Sequence, residues 1–247
     1  MDRNAIVRQI WGKADTILFI FGGAAAEFSL NKAVDWLYFT GKLPADPLGR
    51  LFSTVVYAQQ ILFLDEETAF KAIDKITAIH HAVETSRGIK IPDWAYRDVL
   101  FMLIHYSITA FELLERKLTN HEKEQIFEVF CRMGQRMELK DLPQNYQDWL
   151  VVREQHLQEN LAKSTFTIDL YKQYKKHLGL FRYIILLEGQ KLVVSSHVKN
   201  LLGFNNFLLL KPFLSIYKIA QKLNFDKLIK FVLLPSDYKK QILALDM

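Results

Sequence analysis

Residues 46–86, DPLGRLFSTVVYAQQILFLDEETAFKAIDKITAIHHAVETS, decide the fold class. Asp46 stands ahead of Pro47 as an N-cap ahead of a first-turn proline. Apolar positions then recur at helical spacing to about Leu64, where Asp65 caps a second helix running from Glu66 to about Ser86. The pattern predicts two antiparallel helices hinged at Asp65. At about 1.5 Å of rise per residue, Arg50 and His80 each lie roughly 22 Å from that hinge, one on each arm, and so face each other at one level. Thr54 is one turn from Arg50 on the same face, and Tyr57 and Ile61 continue the stripe. His80 shares its face with Ile73, Ile76 and Val83, whereas His81 has Asp74, Thr77, Glu84 and Thr85, so His80 is the inward member of the pair. The residues alone leave two readings of it open, a core histidine satisfied by a hydroxyl or carbonyl, and an axial ligand.

The helical period extends outward from this hairpin over nearly the whole chain. Ten glycines and six prolines in 247 residues are sparse punctuation, which predicts an all-α fold of long helices with short joints. One helix is expected from about Ala5 to Phe21, stopping near Gly22 and Gly23, and another from about Ala24 to Phe39, before Gly41 and Pro44 break the chain. Beyond the hairpin, helices are expected over Trp94 to Arg116, over Asn120 to Arg136 behind a Thr119/Glu122 capping box, and over Tyr146 to Ala162. A helix near Ile168 to His177, a further stretch from Leu178 to Val198 and two C-terminal helices split near Asn224 complete the reading. No repeat or linker divides residues 1–247, which are expected to form a single multi-helix domain.

Half the residues are hydrophobic, enough for a large core. The single cysteine, Cys131, excludes an intramolecular disulfide framework and a cysteine-based zinc site, and the cytoplasm is the expected compartment. The net charge of +5 is unevenly placed: eight lysines and three aspartates fall in residues 199–247, and the remainder of the chain balances. Those lysines alternate with Leu208, Leu209, Leu210, Phe213, Leu214, Ile216 and Ile219. That composition suits peripheral contact with a membrane through the C-terminal region, or a lipophilic ligand, and no stacking pattern of arginine and aromatic residues points to nucleic acid. The apolar stretch from Ile17 to Ala26 lacks the flanks of a signal peptide. Neither a helical two-histidine zinc motif nor a phosphate-binding glycine loop is present. His105 lies in an apolar helix with Phe101, Met102, Tyr106 and Phe111, a pattern of core or of cavity wall, while Glu112, Glu115 and Arg116 read as a solvated face.

The run from Asp46 to Thr54, its spacing to Ile79-His80-His81-Ala82-Val83, and the later Asp141-Leu142-Pro143 resemble the haem-dependent oxygenases of the fungal mycophenolate pathway and the bacterial latex-clearing rubber oxygenases. The resemblance covers roughly Asp15 to Trp149. It implies an all-α fold around haem b, with His80 as the iron ligand and with Arg50, Thr54 and Tyr57 beside the cofactor. Arg50 and Thr54 are its expected catalytic positions, Arg50 pairing with a propionate and the Thr54 hydroxyl bonding there or to a bound ligand. The implied reaction inserts both atoms of O2 across a carbon–carbon double bond of a hydrophobic, isoprenoid-like molecule, giving two carbonyl products.

The sequence also departs from that pattern. Ser53 stands where rubber oxygenases have a lysine, no His-Pro occurs near Phe28 and Ser29, and Val99 occupies the region of an expected tryptophan. Two alternatives therefore accompany the oxygenase reading: a non-catalytic haem- or lipid-binding protein of the same fold, and a helical scaffold that has lost the cofactor.

Overall fold

The computed structural model describes residues 6–41 and 45–222, and these form helices in sequence: α1 (Ile6–Trp11), α2 (Ala14–Phe28), α3 (Asp35–Phe39), α4 (Pro47–Phe63), α5 (Glu66–Arg87), α6 (Asp93–Leu114), α7 (Asn120–Arg136), α8 (Tyr146–Asn160), α9 (Thr165–Val193), α10 (Ser196–Leu202) and α11 (Lys211–Lys222). The chain is all-α: among the described residues the only extended pairing is an isolated bridge between Asn31 and Leu161. The expected break at Pro44 and the last C-terminal helix lie outside the described residues.

The central contact is α2 against α6, with α1, α7 and α8 packed around them. Trp11, Ile17, Ile20, Phe101, Ile104, Tyr106, Phe127 and Trp149 are each at most 2% exposed in the core this builds. The first helical break falls at Gly12 and Lys13, and α2 runs straight through Gly22 and Gly23, where the sequence pattern had placed a stop. Gly23 is a packing device: a Cβ there would stand 2.3 Å from Cδ1 of the Tyr106 ring, so only glycine lets α2 approach α6 this closely.

The hinged pair forms as the caps dictate. The Asp46 side chain accepts from Gly49 N at 2.8 Å and opens α4, and the Asp65 side chain accepts from Thr68 N at 3.0 Å and opens α5. α4 and α5 pack along each other, while α4 also meets α1 and α9, and α5 meets α7. The Thr119 and Glu122 side chains complete the reciprocal capping box at α7.

α9 is a hairpin rather than a rod. Gly179 has φ 71° and ψ 168°, outside the helical region, and the Tyr171 hydroxyl donates to Gln190 Oε1 at 3.0 Å. Nineteen residues of straight helix would separate that pair by roughly 28 Å, so the second arm folds back on the first. No helix among the described residues is long and apolar enough to cross a membrane.

Candidate functional site

The first turn of α4 presents Arg50. Gly49 has no room for a side chain, since a Cβ would stand 2.0 Å from Asp46 Oδ2, so the cap and the glycine together fix the turn from which Arg50 projects. Arg50 is half-buried, and its Nη1 donates to Ser53 Oγ at 3.3 Å. The Ser53 and Thr54 hydroxyls both donate to the Arg50 carbonyl, at 2.7 and 3.1 Å. The Thr54 hydroxyl proton is thus already committed to the helix, and the oxygen keeps only its capacity to accept. Tyr57, half-buried and one further turn along, has the Lys75 ammonium of α5 5.8 Å from its ring centre, a contact between the two helices.

On α5 the two histidines point apart. The His81 side chain is 70% exposed and its Nδ1 bonds Glu84 Oε2 at 3.0 Å. His80 turns inward: its Nδ1 is buried with no hydrogen-bond partner among the described residues, and its ring packs 5.1 Å from that of Tyr96 at the start of α6. Burial, and after it the positive charge of Arg50 across the helix pair, push the His80 pKa down to about 4, against an opposing pull from Glu84. Near neutral pH the imidazole is therefore uncharged, with a lone pair that is not protonated. Burial likewise lowers the pKa of Arg50. The structure thus brings Arg50 and His80 into electrostatic contact, with Thr54 and Tyr57 along the Arg50 face. Among the described residues no hydrogen bond joins Thr54 or Tyr57 to His80.

An unpartnered buried atom is not unique to this place, since Trp149 Nε1 and His197 Nε2 share the condition. What sets His80 apart is the half-buried cation opposite it and the apolar surface its helix pair exposes, with Val56 and Ile79 51% and 42% accessible.

Two participants escaped the sequence reading. The Glu84 carboxylate accepts from Ile91 N at 2.9 Å and from the Tyr96 hydroxyl at 3.1 Å, tying the end of α5 to α6 and holding Tyr96 against His80. Glu84 had been assigned to the outer face with His81, yet it is also four residues from His80, and that spacing was the available signal. Tyr96 carried none.

Other candidates resolve into the core. Phe101, Met102, Tyr106 and Phe111 are buried, and His105 packs its ring 4.9 Å from Tyr106. Glu112, Glu115 and Arg116 are paired with Lys117 and Lys123, Lys13, and Glu122 respectively. Cys131 is buried, and its thiol is pushed up to about 12, which leaves it unreactive.

Comparison with known proteins places this geometry in a family: residues 9–197 match the model of the ER-bound oxygenase mpaB/B'/rubber oxygenase catalytic domain. The chain belongs to that family. It is an oxygenase-like catalytic domain, and the matched span contains α2 to α8, both arms of the α9 hairpin and every site residue named above. No curated protein and no solved structure matches the chain.

Proposed function

We propose that the chain is a haem b-dependent oxygenase that oxidises or cleaves a carbon–carbon double bond of a hydrophobic, isoprenoid-like small molecule with O2. The observation that carries this reading is His80, a neutral imidazole with a buried, unpartnered ring nitrogen opposite the Arg50 cation. Leaving such a nitrogen unsatisfied costs about 1–3 kcal/mol, a cost that a bond to iron removes. A scaffold with no ligand at this place would carry that cost with no return.

The residues fit haem better than a metal held by protein side chains alone, because among the described residues no group of three His, Cys, Asp or Glu side chains is placed to hold an ion. His80 would hold the iron, with Glu84 and Tyr96 fixing its helix and ring. Arg50 would pair with a carboxylate of the cofactor, and Thr54 and Tyr57 would lie against it. Bound haem would supply the redox chemistry that turns O2 on an alkene. The chain's own part is to keep His80 uncharged, which its burial and then the Arg50 charge favour, and to offer apolar helix surface to the substrate.

One observation favours a second reading, binding without turnover. The Thr54 and Ser53 hydroxyls are both committed to the Arg50 carbonyl, so neither is poised to deliver a proton. Absorption spectra after haem reconstitution test the shared premise: a Soret band is expected in the wild type and its loss in His80→Ala, and an unchanged band in the variant would remove His80 as ligand. Oxygen uptake with isoprenoid alkenes then separates the readings, since turnover requires consumption and a carrier shows none.

We take residues 1–247 as one cytoplasmic oxygenase-like domain whose C-terminal region makes peripheral membrane contact. Phe213 and Ile216, 60% and 61% exposed on α11 with Lys211 on the same helix, support that contact.

A further inference from the structure

At the turn of the α9 hairpin, Leu180 and Phe181 are 62% and 64% exposed, and Ile184 follows one turn below at 44%. The hairpin is not loose. Leu170 and Tyr174 on one arm are buried, and Leu178, Tyr183 and Leu186 pack against them together with Leu37 and Tyr38. The exposure is confined to the tip and the outer face.

On the first arm Lys172, Lys175 and Lys176 are all exposed. Along the helix axis Lys175 and Lys176 lie roughly 5–6 Å from Gly179, and Lys172 roughly 10 Å. From Tyr171 to Leu187 the chain carries four cations, Arg182 being the fourth, and no carboxylate. The whole-chain balance of charge before residue 199 conceals this local excess.

We propose that the α9 tip docks the protein on an anionic phospholipid surface, with Leu180, Phe181 and Ile184 entering the acyl boundary and Lys172, Lys175 and Lys176 meeting the headgroup phosphates. Two bulky apolar side chains on a convex turn have the shape of an insertion element rather than of a groove that receives one. The lysines stand back from the tip by the roughly 5–10 Å to which interfacial apolar faces sink, the level at which ammonium groups meet phosphate. This contact uses other residues than those of α11 and needs no cofactor at His80.

Vesicle flotation of the full chain tests it, using phosphatidylcholine with and without phosphatidylserine. Wild-type protein is expected to float with the serine lipid and to lose binding as salt rises. Leu180→Ser with Phe181→Ser should weaken the association by about tenfold or more. Lys175→Glu with Lys176→Glu should weaken it by about tenfold, whereas Phe213→Ser with Ile216→Ser should leave the effect of the tip substitutions intact. Equal binding to neutral vesicles would overturn the proposal, as would binding that survives both tip doubles. A tip double that alters the mass seen by light scattering while vesicle binding stays unchanged would also overturn it, in favour of a protein partner. The substituted side chains are solvent-facing, so helical circular dichroism should be preserved. Should a double variant melt early, Phe181→Ser alone decides by the same measurements.

Discussion

His156 and His80 sit in one helical frame and are treated in opposite ways. His156, on α8, bonds Asp98 Oδ1 at 2.5 Å, and Asp98 takes further bonds from Asn31 at 2.7 Å and Asn160 at 3.0 Å. One turn earlier on α8, Arg153 gives both terminal nitrogens to Glu27, at 2.6 and 2.5 Å, and the Tyr106 hydroxyl adds a bond at 2.8 Å. Only the Nε of Arg153 is left over. Among the described residues His80 has no such partner, and the Arg50 opposite it has one serine hydroxyl and no carboxylate. The centre of the bundle, α2 with α6 and α8, therefore pairs Glu27 with Arg153 and Asp98 with His156, a carboxylate against each basic side chain. The α4–α5 hairpin leaves a cation and a neutral imidazole facing each other, a combination that an anionic group bearing a metal would complete.

The largest way to test this contrast is to break the central pair. The Arg153 and Glu27 side chains are 5% and 1% exposed, so Arg153→Ala strands a buried carboxylate and should lower unfolding stability by about 3–5 kcal/mol, read from urea midpoints. A loss under about 1 kcal/mol would mean that the core does not depend on its ion pair. Next come the histidines themselves. His156→Ala removes a partner of Asp98 and should cost about 1–3 kcal/mol, whereas His80→Leu in haem-free protein removes an unsatisfied atom and should stay within about 1 kcal/mol of wild type. The same His80→Leu should abolish the Soret band that His156→Ala retains.

The parts of this contrast that the sequence made legible are those set by local rules. The Asp46, Asp65 and Thr119 caps depend on residues three apart, and the opposite facing of His80 and His81 follows from the helical period, so all could be read along the chain. Gly22 and Gly23 misled because a glycine pair signals a stop only when nothing requires close approach, and the Tyr106 ring that requires it lies 83 positions away. The Glu27–Arg153 pair spans 126 positions and the Asp98–His156 pair 58, and no period links such residues. Tyr96 was invisible for the same reason, being placed by a fold rather than by a pattern. The basic tip of α9 was hidden differently, by charge bookkeeping over too long a window.

A pH titration sharpens the comparison from another side. Burial and then Arg50 push His80 down to about 4, and burial and then Arg153 do the same to His105. In the unfolded chain histidine titrates near 6.5, so between about pH 4 and 6.5 the unfolded state binds protons that the fold refuses. Stability is therefore fully present above about pH 6.5 and declines as pH falls towards 4. Urea midpoints across that window should fall in the wild type and fall less steeply in both His80→Leu and His105→Phe. Identical slopes in all three proteins would mean that neither ring is withheld from water.

The smallest expected effect separates the two regions most cleanly. Asp46→Ala and Thr119→Ala each remove an N-cap, and each should cost about 1 kcal/mol of stability. Their consequences for the site should differ. Thr119 opens α7, on which none of the proposed haem contacts lies, whereas Asp46 shapes the turn from which Arg50 projects, with Gly49 fitted beneath its carboxylate. Without that cap the first turn of α4 frays and Arg50 loses its fixed position opposite His80, so Asp46→Ala should weaken haem uptake while Thr119→Ala leaves it near wild type. Haem titration followed at the Soret band, with both variants held well below their melting temperatures, makes the measurement. Equal uptake by the two would show that the position of Arg50 does not matter for binding, and the cofactor would then have to be held from the His80 side alone.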